Sequence, residues 1–274
     1  MTSSIVQAAH HFRSLHDSRR PLALSNIWDV ASALIAQAAG APALATTSAG
    51  VAWAHGLPDG DHLDRARALS AVTAIAAAVK VPVTADIEGG YAEATAGVAE
   101  TVKGLLGAGV VGINIEDGNR APMELAARIA VARQAAQDAG VPLFINARTD
   151  VFLAGIGASE HRVEEVLARA ERYIQAGADG IFVPGVVDPQ TIAALCQELP
   201  VPLNVMVGVG APSVAELGRL GVARVSLGAA VALTAYASVR RVTAELLDTG
   251  TYQATADALS FGELNDLLID STTL

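Results

Sequence analysis

The sequence predicts an α/β chain of one domain, a (β/α)8 TIM barrel spanning residues 1–274. Three observations predict it. Short apolar runs at 22–25, 43–47, 83–87, 112–116, 143–149, 180–184, 203–207 and 224–227 alternate with longer helical patterns. Such runs, flanked by Gly or Pro, suit parallel strands buried on both faces, and there are eight of them. Glycine recurs at the helix-to-strand joints, at 40, 109, 140, 177 and 221, where a residue just past a helix end turns left-handed. Val-Pro pairs at 81, 141 and 201 fall sixty residues apart, the length of two βα units. An open doubly wound sheet is the rival, but no GxGxxG opens the first βα turn.

The elements follow in order. Residues 1–20 predict an N-terminal helix, with Ile5, Ala8, Ala9, Phe12 and Leu15 on one face. The segment lacks the apolar core of a signal peptide, so the cytoplasm is the expected compartment. Helical patterns cover 63–79, 123–139 and 163–176, and Ser159 is the expected N-cap of the last. Cys196 falls inside a helix beside Leu195 and reads as core. The uncharged stretch 225–239 is short for a membrane span of ~20 residues and reads as a strand followed by a helix. Residues 229–274 predict C-terminal helices and a tail. Leu264, Leu267 and Leu268 there suit packing on a partner copy or on the chain itself.

Composition narrows the class. Hydrophobic residues make up 52% and charged residues 17%, which excludes a disordered chain. One cysteine excludes a disulfide scaffold. The net charge is −10, with no basic cluster beyond the Arg19/Arg20 and Arg240/Arg241 pairs, so neither nucleic acid nor membrane is an expected partner.

In such barrels chemistry sits at the C-terminal ends of the strands. The third run ends in Asp86, Glu88 and Tyr91, the fourth in Asn114, Glu116 and Asp117, and the fifth in Arg148 and Asp150. Strand alternation is expected to send Asp86 and Glu88 to one side. Converging carboxylates repel unless a proton or a metal intervenes. Asp86, Glu88 and Glu116 are therefore read as a metal or acid–base set, with hard oxygen ligands that suit Mg2+ or Mn2+. No HExxH or Cys/His spacing favours zinc. Asp117 and Asp150 read equally as helix N-caps. Arg148 suits a substrate carboxylate, or neutralises its acidic neighbours. The small residues of the 46–60 segment let backbone N–H groups approach an anion, and Asp59 sits in a Pro-Asp-Gly turn.

Taken together, the segments 47–59, 86–91, 114–117 and 147–150 resemble the isocitrate lyase/phosphoenolpyruvate mutase superfamily over nearly the whole chain. The resemblance implies that Thr47, Ser48 and Ala49 hold the substrate's carboxylate and oxo oxygen. It implies that Asp86 is a direct Mg2+ ligand, with Glu88 (one methylene longer than the usual aspartate) and Glu116 as further metal carboxylates. Asp59 matches the gating-loop aspartate, Arg148 the anion-binding arginine, and Asn204 a pocket asparagine. Asp59, Arg148 and Tyr91 are the implied catalytic groups, with Tyr91, His55 or water giving the proton. The implied activity is cleavage or formation of a C–C bond in a small α-keto acid or dicarboxylate of the pyruvate, oxaloacetate or 2-oxoglutarate class, through a metal-stabilised enolate. The implied assembly is a homotetramer, a dimer of dimers exchanging C-terminal helices. Two departures stand out. The lyase cysteine loop is absent after Asp117, where Gly118, Asn119 and Arg120 follow, and no His follows Val183 and Pro184. P–C hydrolase or mutase chemistry on phosphonopyruvate-like compounds, and a non-catalytic α-keto acid binding barrel, are the alternatives.

Overall fold

A computed structural model describes residues 2–272; Met1 and the end of the expected tail, 273–274, lie outside the described residues. The strands are β1 (Leu22–Leu24), β2 (Asn26–Ile27), β3 (Leu44–Thr46), β4 (Val83–Asp86), β5 (Gly112–Glu116), β6 (Phe144–Arg148), β7 (Gly180–Val183), β8 (Leu203–Met206) and β9 (Arg224–Ser226). All pair in parallel, in the order β1-β9-β8-β7-β6-β5-β4-β3-β2. β1 and β2 are one barrel strand interrupted at Ser25, so its pairing with β9 on one side and β3 on the other closes the ring. Asn26 stitches this seam: Nδ2 donates to the Thr46 carbonyl (3.4 Å) and Oδ1 accepts from the Leu227 N–H (2.9 Å). The eight expected runs are thus the eight staves of a (β/α)8 barrel.

The helices are α1 (Thr2–Ser14), α2 (Val30–Ala38), α3 (Ser48–Ala54), α4 (Arg65–Ala78), α5 (Val98–Gly107), α6 (Pro122–Asp138), α7 (Arg162–Gln175), α8 (Pro189–Glu198), α9 (Val214–Arg219), α10 (Ala230–Thr249) and α11 (Phe261–Thr272). Between strands and helices the core is almost wholly Ala, Val, Leu and Ile, as parallel strands covered on both faces require. Sequence caps set several helix starts: Asp29, Asp64, Asp188 and Ser213 each accept a backbone N–H from the first turn. At the other ends, glycines such as Gly177, at φ +110°, reverse the chain into the next strand.

α1 closes the N-terminal mouth of the barrel. Phe12 meets the Phe144 ring edge-on, with centroids 5.8 Å apart, and His16 stacks on it at 3.9 Å. Burial, then Arg224 nearby, pushes the His16 pKa down to about 3, so this ring is neutral packing. The expected helix over 1–20 stops at Ser14. Ser159 does not cap α7: it opens a 3-10 turn (Ser159–His161) and its hydroxyl donates to Glu160. With that hydroxyl turned to Glu160, α7 starts from His161 with no side-chain cap. Neither Asp117 nor Asp150 caps a helix, since α6 starts from Ala121 and α7 from His161. Cys196 is half-buried in α8, with its thiol pushed up to about 11 by burial. α11 lies on α2 of the same chain, half-burying Leu264, Leu267 and Leu268. Among the described residues no helix is long and apolar enough to cross a membrane.

Candidate active site

The C-terminal rim gathers the expected groups around Asp86. Thr46 Oγ1 accepts the Asp86 N–H (2.9 Å), fixing the end of β4 to β3. The first residue of α3 then grips the carboxylate: both the Ser48 N–H (3.1 Å) and its hydroxyl (2.8 Å) donate to Oδ2. A helix N-terminus favours an anion there. Asp86 Oδ1 is left buried with no hydrogen-bond partner. Ser48, expected to hold substrate, in this structure holds Asp86. Thr47 and Ala49 flank it, buried, and face the same cavity.

Glu88 reaches the site by a different route from the one expected. β4 ends at Asp86, and Glu88 has φ +50°, a left-handed backbone, so strand alternation does not aim it. Its Oε2 accepts the N–H of Asp61 and its Oε1 is buried without a partner. Asp61 belongs to the loop carrying Asp59, and its own carboxylate pairs with Arg120 from the short segment after β5. The Arg120 guanidinium lies flat on Gly89, where a side chain would collide with it. Arg120, Asp61 and Glu88 thus tie the second loop across the third and fourth strand ends. This latch was not anticipated.

Register sets the next group. β5 and β6 align Glu116 directly with Arg148, and Arg148 Nη1 meets Glu116 Oε2 at 2.6 Å. Asp150 takes the other edge of the fork, from Nε (2.6 Å) and Nη2 (3.0 Å). Asp117 lies behind, fully buried, and is structural: it accepts from the Asp150 N–H, Arg169 and the Tyr173 hydroxyl. Arg148 is therefore held in place by carboxylates on both sides.

A cavity of about 380 Å³ opens over these residues, with Asp59, Asp86, Asn114 and Arg148 in its wall. Asn204, expected there, lies beneath the wall, accepting from Ser226 Oγ (3.3 Å). Tyr91 borders a neighbouring cavity with Asp61 and Arg120, and its hydroxyl points back toward the Asp86 carbonyl at 3.4 Å. His55 is exposed, at the end of α3, bonded to the Val51 carbonyl. Under the floor the fully buried Arg224 donates to Asn114 Oδ1 (3.1 Å). An arginine opening an apolar strand run was the only sequence signal for it.

The electrostatics follow from crowding. Burial pushes Glu88 up to about 8, against the Asp61 N–H and helped by the Asp86, Asp61 and Asp59 carboxylates. Burial raises Glu116 too, outweighing an Arg148 whose charge Asp150 shares. Asp59 is raised by desolvation and by Asp86 beside it. The folded chain therefore keeps a proton on Glu88 that the unfolded chain releases near 4.5. A raised folded pKa gives stability that is full below the unfolded value and lost as pH rises through the folded one. Thermal melts in EDTA are expected to show stability falling from about pH 5 to about pH 9, with a divalent cation reversing the fall. A melting temperature flat across that window contradicts this reading.

The residues fit a hard divalent cation of low protein-ligand count. Among the described residues no three His, Cys, Asp or Glu side chains gather closely enough to hold an ion alone. What the rim offers is Asp86 Oδ1, Glu88 Oε1 and Glu116 Oε2, buried and without a hydrogen bond, the last ion-paired with Arg148. One direct carboxylate, with water and substrate oxygens completing the shell, is what Mg2+ accepts.

Comparisons with known proteins place the chain in a family. The family model for phosphoenolpyruvate phosphomutase matches residues 12–247. An uncharacterized protein of Mycobacterium tuberculosis is 38% identical over 217 residues, 79% of this chain and 81% of that one. An oxaloacetate decarboxylase of Pseudomonas aeruginosa is 32% identical over 235 residues, 79% of each. A crystal structure from Burkholderia cenocepacia, provisionally named a phosphonomutase, superposes with a TM-score of 0.83 at 45% identity, covering 86% of this chain and 99% of that one. The chain belongs to the phosphoenolpyruvate phosphomutase family and is an enzyme of the isocitrate lyase/phosphoenolpyruvate mutase superfamily.

Proposed function

We propose that the chain is a divalent-cation-dependent lyase, with Mg2+ the expected ion and Mn2+ a substitute, that binds a small 2-oxo acid and cleaves or forms a C–C bond at C3. The observation that carries this reading is Asp86: one oxygen is pinned by Ser48 and the other is buried and unpartnered beside Arg148. Such an arrangement is costly unless a cation completes it. When bound, the cation supplies Lewis-acid polarisation of the oxo oxygen. Arg148, fixed by Glu116 and Asp150, turns its remaining N–H groups to the substrate's carboxylate. Thr47, Ser48 and Ala49 close the cavity on the β3 side and exclude water from it. Asp59, at the cavity wall with its pKa raised by burial and by Asp86, is placed to hold or pass a proton. Burial and the surrounding carboxylates keep the Tyr91 hydroxyl protonated, so it serves as a donor rather than a base.

Turnover of pyruvate, oxaloacetate, 2-oxoglutarate and phosphonopyruvate, each with and without EDTA, tests the reading. Metal-dependent release of CO2 or a second carbonyl product supports it. A second reading, P–C bond chemistry, is favoured by the family model and the Burkholderia likeness. Phosphate or phosphoenolpyruvate appearing only from phosphonopyruvate selects that one. Metal-dependent binding without any product rejects both. A homo-oligomer, a dimer of dimers in the cytoplasm, remains the expected assembly; the exposed Val239, Leu246 and Leu247 on α10 and Phe261 on α11 are apolar surface that a second copy would cover.

A further inference from the structure

The cavity is divided by the barrel itself. Its polar side comes from β3 to β6 and their loops, with Ser48, Asp59, Asp86 and Arg148. Away from Arg148, β8 and the start of α10 add Met206, Val207 and Leu233, with the uncharged Asn26 and Ser226 beside them; Phe182 is the register partner of Arg148, whose guanidinium carbon lies 5.9 Å from its ring centroid. Arg148 is the one cation in the wall. A guanidinium carries five N–H groups. Nε and one N–H of Nη2 go to Asp150, and Nη1 is ion-paired with Glu116. What remains of the fork serves one carboxylate. A second carboxylate laid toward Met206 and Leu233, the former two strands away from Arg148, meets no cation in the wall, and burying an unpaired charge is costly.

We propose that the cavity selects a 2-oxo acid with a single carboxylate and a short alkyl substituent, the substituent seated against Met206 and Leu233. The proposal rests on the oxo-acid reading above and narrows it to the bond-forming direction: C3 bears an alkyl group rather than a second acid, gives up a proton and bonds to a carbonyl carbon, whose oxygen takes the proton. Leu233 is 54% exposed, at the open edge of the cavity, and its side chain sets the length accepted.

Calorimetric titration of the full chain in Mg2+ tests this with pyruvate, 2-oxobutyrate, 2-oxovalerate and 2-oxoglutarate. The last two have the same chain length and differ in a terminal methyl against a carboxylate. Affinity is expected to rise about fourfold for each methylene from pyruvate to 2-oxovalerate. 2-Oxoglutarate is expected to bind about tenfold or more weaker than 2-oxovalerate. Leu233→Ala is expected to flatten the gain with chain length, the fourfold step from 2-oxobutyrate to 2-oxovalerate falling toward onefold. Leu233→Arg, at an exposed helix position that tolerates it, is expected to rescue 2-oxoglutarate. Binding of 2-oxoglutarate as tight as 2-oxovalerate, or affinity that ignores chain length while pyruvate still binds, overturns the proposal and spares the oxo-acid reading. If pyruvate and every other oxo acid fail to bind, the oxo-acid reading falls and takes this proposal with it.

Discussion

Replacing Asp86 by alanine is expected to abolish divalent-cation binding and to lower turnover by at least about a hundredfold, because even outer-shell partners of a metal cost ~10–100-fold when removed. The same change is expected to leave the melting temperature of the metal-free protein unchanged or higher. Asp86 Oδ1 is buried without a partner and stands among other carboxylates. Removing it relieves desolvation and repulsion, while the lost contact to Ser48 is the only bonding sacrificed by the side chain. A group held for packing behaves in the opposite way, losing stability first. Asp86→Asn separates charge from shape: it keeps an acceptor for Ser48 and is expected to lose the cation all the same. Mn2+ titration followed by electron paramagnetic resonance, together with melts in EDTA, reads both effects. An alanine variant that still binds Mn2+ with wild-type affinity sinks the metal assignment.

The barrel was legible because its signals are local. Each short apolar run becomes a strand, and the joint glycines at 40, 109, 140, 177 and 221 all take positive φ. The strand-end rule then finds Asp86, Arg148 and Glu116, since residues at the ends of adjacent parallel strands must meet. It fails where the backbone leaves the strand. Glu88 is aimed by a left-handed residue, which no alternation pattern encodes. Arg120 meets Asp61 across 59 positions of sequence, and Arg224 meets Asn114 across 110. Such pairs are fixed by barrel closure rather than by neighbours in the chain. The apolar side of the cavity was hidden for a related reason: Phe182 and Met206 sit in apolar strands, where facing the cavity and facing the core look alike in sequence.

Asp117 is the strongest test of the distinction between the acids that do chemistry and those that hold the rim. It has no exposed surface and accepts from three donors: Asp150 N–H at 2.9 Å, Arg169 Nη1 at 2.9 Å and the Tyr173 hydroxyl at 2.8 Å. Asp117→Ala leaves a buried guanidinium and a buried hydroxyl short of an acceptor. Removing one partner of a buried pair costs about 3–5 kcal/mol, which for a chain of this size lowers the melting temperature by about 10 °C. Asp117→Asn is expected to lose nearly as much, because an amide nitrogen cannot accept from Arg169 or Tyr173. The damage should also reach the substrate. Asp117 anchors the backbone of Asp150, and Asp150 holds the Nε/Nη2 edge of Arg148. KM for the oxo acid should therefore rise while cation affinity stays near the wild-type value, the reverse of the Asp86 pattern. Chemical denaturation and Mn2+ titration of the two variants side by side read the contrast. Replacing Asp117 and Arg169 together by Leu and Met removes the charge and its counter-charge at once. The double variant is expected to recover part of the stability lost by Asp117→Ala, whereas Glu165, still bonded to Arg169 Nε in the native chain at 2.7 Å, loses only a partly exposed contact. A double variant less stable than Asp117→Ala would show that the Asp150 N–H and the Tyr173 hydroxyl, rather than the ion pair, dominate what this carboxylate contributes.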